Sequence, residues 1–151
     1  MLAADLLNPA RVALDHNLTS KKAVLEHAAE LLASAPDAPP ARDIFEALCQ
    51  RERLGSTGLG HGVAIPHCRV AQPTATGAFI RLKRPVDFDS PDGQGVDLFF
   101  ALAVPEQCNE THLKLLASIA ELFGDPDRRE RLRKVSDYEE LQQLLREQTP
   151  D

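Results

Sequence analysis

From Val96 to Val104 the chain is apolar at every position except Asp97, and Leu98 to Val104 form an uninterrupted apolar run of seven residues. A membrane-spanning helix needs about 18 or more such residues, so this run does not cross a bilayer. Its length and continuity are those of a strand in the middle of a sheet covered on both faces. The chain must therefore supply helices to both sides of that sheet.

The helices can be read around it. Ser20 to about Ala35 carries Val24, Leu25, Ala28, Leu31 and Leu32 on one stripe, with Thr19 or Ser20 able to cap it. Pro36, Pro39 and Pro40 mark a loop. A second helix runs from about Ala41 to Leu54 with Ile44, Phe45, Leu48 and Cys49 on one face, and stops where glycines begin. A third is expected from about Thr111 to Phe123, with Leu113, Leu116, Ala117, Ala120 and Phe123 as its stripe. Ser136 and Glu139 read as a capping box for a last helix ending near Gln148. Val63–Ile65, Gly77–Leu82 and Val96–Val104 read as strands, with Arg11–Leu14 a weaker one. Helices before and after a block of strands imply an α/β fold with a mixed sheet between helical layers, not a regular βαβ alternation.

At 151 residues, one domain spanning 1–151 is expected. The net charge of −6 argues against a surface built for nucleic acid. The N-terminus lacks the basic flank, apolar stretch and cleavage site of a secretory signal, Asp5 interrupting it at once, so a cytoplasmic location is expected. Cys49, Cys68 and Cys108 are an odd, irregularly spaced set that fits reduced thiols.

Charge is not spread evenly. Arg51 to Arg69 hold three arginines against one acid, a local +2 that leaves −8 elsewhere. Within it, Gly55 to Gly62 contain four glycines in eight residues, which lets backbone N–H groups come close to a bound anion. Phosphate is the anion this combination fits. Nucleotide motifs do not match. Gly60 is followed by His61 and Gly62 instead of Lys-Ser/Thr, and the glycines follow a helix and precede a strand, the reverse of a dinucleotide fingerprint. A nucleophile-elbow serine is absent as well.

The remaining reactive group is His67. Pro66 stiffens the chain just before it and holds Ile65 extended. A histidine near its unperturbed pKa of about 6.5 is largely neutral at neutral pH and can attack phosphorus through a ring nitrogen. Arg51 falls on the core side of its helix and could fork onto phosphoryl oxygens or simply pair with a carboxylate; periodicity does not separate it from Glu52. Arg53 falls opposite. His112, in the first turn of its helix, could stay neutral beside the helix N-terminus and donate to a phosphoryl oxygen, or be a boundary histidine. Cys108, His112, His67 and Cys68 supply metal-ligand types, but their spacing matches no zinc pattern and no metal is expected. His16 and His27 show no partner.

The stretch LGSTGLGHGVAIPH, Leu54 to His67, resembles the active-site signature of the IIA domains of the mannitol/fructose class in the bacterial phosphoenolpyruvate-dependent sugar phosphotransferase system. Similarity runs through Arg51–Arg53, Pro85–Phe88, Asp92–Gly93, Val96–Leu98, Val104–Pro105 and His112–Leu113, and is strongest to the nitrogen-regulatory branch. That resemblance implies a three-layer α/β/α fold. It implies that His67 is the phospho-accepting residue, assisted by Arg51 and His112, with Ser56, Thr57 and Gly58 in the phosphate-binding loop. It further implies an HPr-like phosphocarrier protein as donor, no cofactor, and regulated target proteins such as potassium-transport or sensor proteins. The alternatives are a sugar-uptake IIA component that passes phosphate to a IIB cysteine, and an interaction module independent of phosphate. Where most relatives carry Asn in the loop, this chain has His61.

Overall fold

The computed structural model describes residues 2–107 and 109–147. Two short 3-10 turns, Ala3–Leu6 and Pro9–Arg11, lead into β1 (Val12–His16). Then come α1 (Lys21–Ala33), α2 (Ala41–Arg53), β2 (Gly58–Gly60), β3 (Val63–Ala64), β4 (His67–Val70), β5 (Thr76–Val86) and β6 (Val96–Pro105). The described chain closes with α3 (Glu110–Gly124), α4 (Pro126–Leu132) and α5 (Tyr138–Arg146).

The sheet is mixed, in the order β1-β5-β6-β3-β2, with β4 also paired to β6. The apolar run is the central strand, as its composition requires. On one side β6 runs antiparallel to β5, Phe100 facing Phe79; on the other it pairs in parallel with β3 and then β4, Leu98 facing Val63 and Leu102 facing His67. Its side chains alternate between two cores. Phe99, Ala101 and Ala103 join Val24, Leu32, Ile44 and Leu48 of α1 and α2. Leu98, Phe100, Leu102 and Val104 join Ile119, Phe123, Leu132 and Leu141 of the C-terminal helices, together with Leu6 and Leu7. The result is the expected α/β/α layering.

Local expectations fare unevenly. Ser20 caps α1, its hydroxyl accepting from the Ala23 N–H at 3.0 Å. The last helix is capped by Asp137, which accepts from the Glu140 N–H at 2.8 Å, while Ser136 pairs with Glu140 and not with Glu139. Gln148, its expected end, lies outside the described residues. The stripe expected on α3 is partly rotated: Phe123 is buried as expected, but Leu115 and Ile119 fill the other core positions, and Leu113 is 58% exposed. α3 is apolar around most of its circumference, so periodicity alone does not set its phase. The sequence pattern gives no sign of α4, because the residues it buries include Arg128 and Arg129 in place of an apolar stripe.

Arg81 is a further buried cation. From β5 it donates through Nη1 to the carbonyls of Leu132 at 3.0 Å and Val135 at 2.7 Å, and through Nε to Asp15 at 3.1 Å. It thus fastens the end of α4 and the turn after it to the sheet. Arg81→Met strands those carbonyls, and a loss of about 2–3 kcal/mol is expected in urea unfolding. A midpoint unchanged from the unsubstituted protein would rule this out.

Candidate functional site

α2 ends at Arg53 because Leu54 and Gly55 turn the chain, and Gly55 adopts φ +147°, a conformation that favours glycine. The chain then crosses β2, turns through His61 and Gly62, and returns along β3. Composition suggests an open glycine loop here, but Gly58–Gly60 pairs antiparallel with β3. At Gly62 (φ +80°) a Cβ would meet the Arg133 guanidinium, which Asp97 holds in place at 3.0 Å. Pro66 separates β3 from β4 along the same edge of β6, and His67 opens β4 opposite Leu102.

The ring of His67 is held at both nitrogens. Nδ1 lies 2.8 Å from the Ile65 carbonyl, and Arg51 Nε donates to Nε2 at 3.3 Å. The carbonyl can only accept and the guanidinium can only donate, so Nδ1 carries the proton and Nε2 presents its lone pair. Burial pushes the imidazole below its ordinary pKa; the Ile65 carbonyl and Glu52 oppose this, while Arg51 and Arg69 reinforce it. The ring is therefore neutral near pH 7. Arg51 also donates through Nη1 to the Gly55 carbonyl at 2.9 Å, which ties the guanidinium to the turn.

His112 occupies the third position of α3. Its Nδ1 accepts from the Asn109 N–H at 3.3 Å, and its own N–H donates back to Asn109 Oδ1 at 3.3 Å. Accepting at Nδ1 leaves Nε2 to carry the proton and act as a donor. A cleft of about 600 Å³ brings together Arg51, His67 and His112, with Leu54, Leu113 and Leu116 on its walls. The stripe expected to be core on α3 thus contributes to the cleft. A neighbouring recess of about 360 Å³ shares Arg51 and His67 and is lined by Ser56, Thr57, Gly58 and Leu59.

The polar groups of that recess already have partners. Ser56 Oγ donates to the Phe88 carbonyl at 2.7 Å and accepts from the Gly58 N–H at 3.0 Å. Thr57 binds Glu52 through both its N–H, at 3.2 Å, and its hydroxyl. Glu52, which periodicity does not separate from Arg51, is buried and paired with Lys21 at 3.0 Å. Arg53 is exposed. His61 is exposed at φ +57°; its N–H donates to Asp92 at 2.9 Å and its carbonyl accepts from Arg133 at 2.8 Å.

Cys68 is not a competing nucleophile. Burial pushes its thiol up to about 12, which keeps it protonated. Among the described residues, no group of three or more His, Cys, Asp or Glu side chains could hold a metal ion. Cys108 lies outside the described residues. No described helix is long and apolar enough to cross a membrane.

His16 and His27, which show no partner in the sequence, lie against each other with ring centroids 4.8 Å apart and planes tilted by 34°. Burial, and then His16, push the His27 imidazole below its ordinary pKa, against the pull of Glu30. Its Nε2 is buried without a hydrogen-bond partner. The unfolded chain therefore takes up protons more readily, as it does at His67. Stability is expected to be greatest above pH ~6.5 and to fall as the pH drops through the lowered folded values. His27→Phe removes one of these titrations, so a shallower loss of urea midpoint between about pH 7 and 5 is expected. An unchanged slope would contradict the assignment.

The family described as "Phosphoenolpyruvate-dependent sugar phosphotransferase system, EIIA 2" matches residues 5–148. The chain belongs to this family. It is 45% identical over 141 residues to a nitrogen regulatory protein of Pseudomonas aeruginosa, covering 93% of this chain and 92% of that protein. It is 30% identical over 139 residues to a fructose-specific EIIA component of Haloferax volcanii, covering 90% and 89%. The crystal structure of the nitrogen regulatory protein IIA-Ntr from Neisseria meningitidis superposes with a TM-score of 0.89 at 45% identity, covering 94% and 97%. The chain is thus a IIA-type phosphotransfer component.

Proposed function

We propose that this chain is a phosphohistidine carrier of the nitrogen-related phosphotransferase system, forming one IIA domain that works in the cytoplasm. The observation that carries the reading is the neutral His67 ring, whose Nε2 lone pair meets the Arg51 guanidinium in the cleft. The donor is the phosphohistidine of an HPr-like protein. As the N–P bond to His67 Nε2 forms, the donor's N–P bond breaks and its imidazole leaves with the electron pair. The Nδ1 proton stays on the ring, hydrogen-bonded to the Ile65 carbonyl, which supports the positive charge that develops there.

In this reading Arg51 hands its Nε–H from the lone pair to the phosphoryl oxygens, and His112 Nε2–H supplies a second donor. Ser56, Thr57 and Gly58 line the recess and shape it; direct contact with phosphate requires them to exchange the bonds they make within the loop. A phosphoryl group of charge near −2 reverses the local +2, so the regulated partners bind one form in preference to the other. The 45% identity to a nitrogen regulatory protein supports regulation. The fructose-specific relative supports the second reading, transfer to a IIB cysteine.

The test is incubation with phosphoenolpyruvate, the first enzyme of the cascade and an HPr-like carrier. Uptake of acid-labile, alkali-stable phosphate is expected, and an unlabelled protein overturns the reading. Fast onward transfer to a IIB cysteine would favour sugar uptake over regulation.

A further inference from the structure

The last turn of α2 presents two successive polar residues to the loop that follows. Arg51 holds the Gly55 carbonyl, and Glu52 holds Thr57. A carboxylate as deeply buried as Glu52, 9% exposed, is costly unless it is paired and hydrogen-bonded. Lys21 pairs with it at 3.0 Å, and the same ammonium lies 3.4 Å from Asp89 and 4.6 Å from the centre of the Phe88 ring. Both carboxylate oxygens also accept from Thr57, one from its N–H and the other from its hydroxyl.

Thr57 leads on to the reactive ring. Its carbonyl accepts from the Ile65 N–H at 3.1 Å. Ile65 lies between β3 and β4, outside both strands, and its carbonyl accepts from His67 Nδ1 at 2.8 Å. Each step crosses a residue and not a single peptide unit, so what passes along it is position. We propose that Glu52 is a positioning residue for His67: its buried carboxylate anchors Thr57, and through Thr57 and Ile65 it fixes which ring nitrogen faces the cleft. Without the anchor, the Ile65 carbonyl shifts and the ring is free to carry its proton at Nε2, the atom that must attack. The Glu52 charge also opposes the downward push of Arg51 and Arg69 on the imidazole.

The inference rests on the reading of His67 as the phosphate acceptor, but its first test does not. Nitrogen NMR of the unphosphorylated chain reads the His67 tautomer directly. The Nδ1–H form is expected in the unsubstituted protein and in Arg53→Ala, and a mixed or Nε2–H form in Glu52→Gln and Thr57→Val. Phosphate uptake from the phosphorylated carrier is expected to fall about 10-fold in both variants. Thr57→Ser, which keeps the hydroxyl, should restore it. If Glu52→Gln fails to fold, Thr57→Val, which removes a single donor, carries the test. Variants that lose thermal stability yet keep the Nδ1–H form, with uptake within about twofold per folded molecule, overturn the proposal. If the unsubstituted protein takes up no phosphate at all, the carrier reading fails while the nitrogen spectra still decide the role of Glu52.

Discussion

His67→Ala is expected to abolish uptake of acid-labile phosphate while leaving the protein folded. The side chain supplies the one reacting atom of the proposed transfer, and the adjacent thiol offers no substitute: Cys68 is buried and held protonated. Folding should survive because the strand pairing of His67 with Leu102 depends on the backbone. Loss of the ring removes the bond to the Ile65 carbonyl, a cost of about 1 kcal/mol. The measurement is phosphate retained after alkali treatment, set against the circular dichroism melt of the same sample. Equal labelling of the variant and the unsubstituted protein would place the phosphate elsewhere.

Arg51→Lys should keep the charge and lose most of the rate. The guanidinium makes two contacts in fixed geometry, Nε to His67 and Nη1 to the Gly55 carbonyl. Lysine is a single point charge on a flexible stem and cannot reproduce both. By analogy with the loss of one preorganised donor to a developing negative charge, single-turnover uptake is expected to fall roughly 100-fold, about 2.7 kcal/mol of barrier. The pH dependence of uptake should change little in form, because the imidazole remains neutral near pH 7. A rate within about twofold of the unsubstituted protein would remove Arg51 from the transfer step.

Much of this site can be read from residue order because it is local. Gly55 to His67 is one contiguous stretch, and Pro66 announces the stiff approach to the imidazole. The central strand is legible for a different reason: a continuous apolar run has few places to go. The contacts that are not legible are long in sequence or polar in content. Arg81 meets the end of α4 and the turn after it across 51 and 54 residues, and no spacing rule anticipates a buried arginine there. α4 escapes a search for apolar periodicity because it buries arginines. The His16–His27 ring contact joins the end of a strand to a helix, so neither residue carries a sign of the other.

Residue order alone is enough for the family, the order of the layers around Val96–Val104, and the choice of His67 as the candidate phosphate acceptor. These follow from composition, local spacing and a contiguous motif, which need no knowledge of how distant elements meet. The folded molecule adds that Arg51 reaches the ring while Glu52 turns to Thr57, that the proton of His67 sits on Nδ1, and that Leu113 and Leu116 border the cleft. Those outcomes depend on hydrogen-bond direction and on the rotation of a helix about its axis. Both are set by the packing of elements far apart in the chain, so neighbouring residues do not encode them.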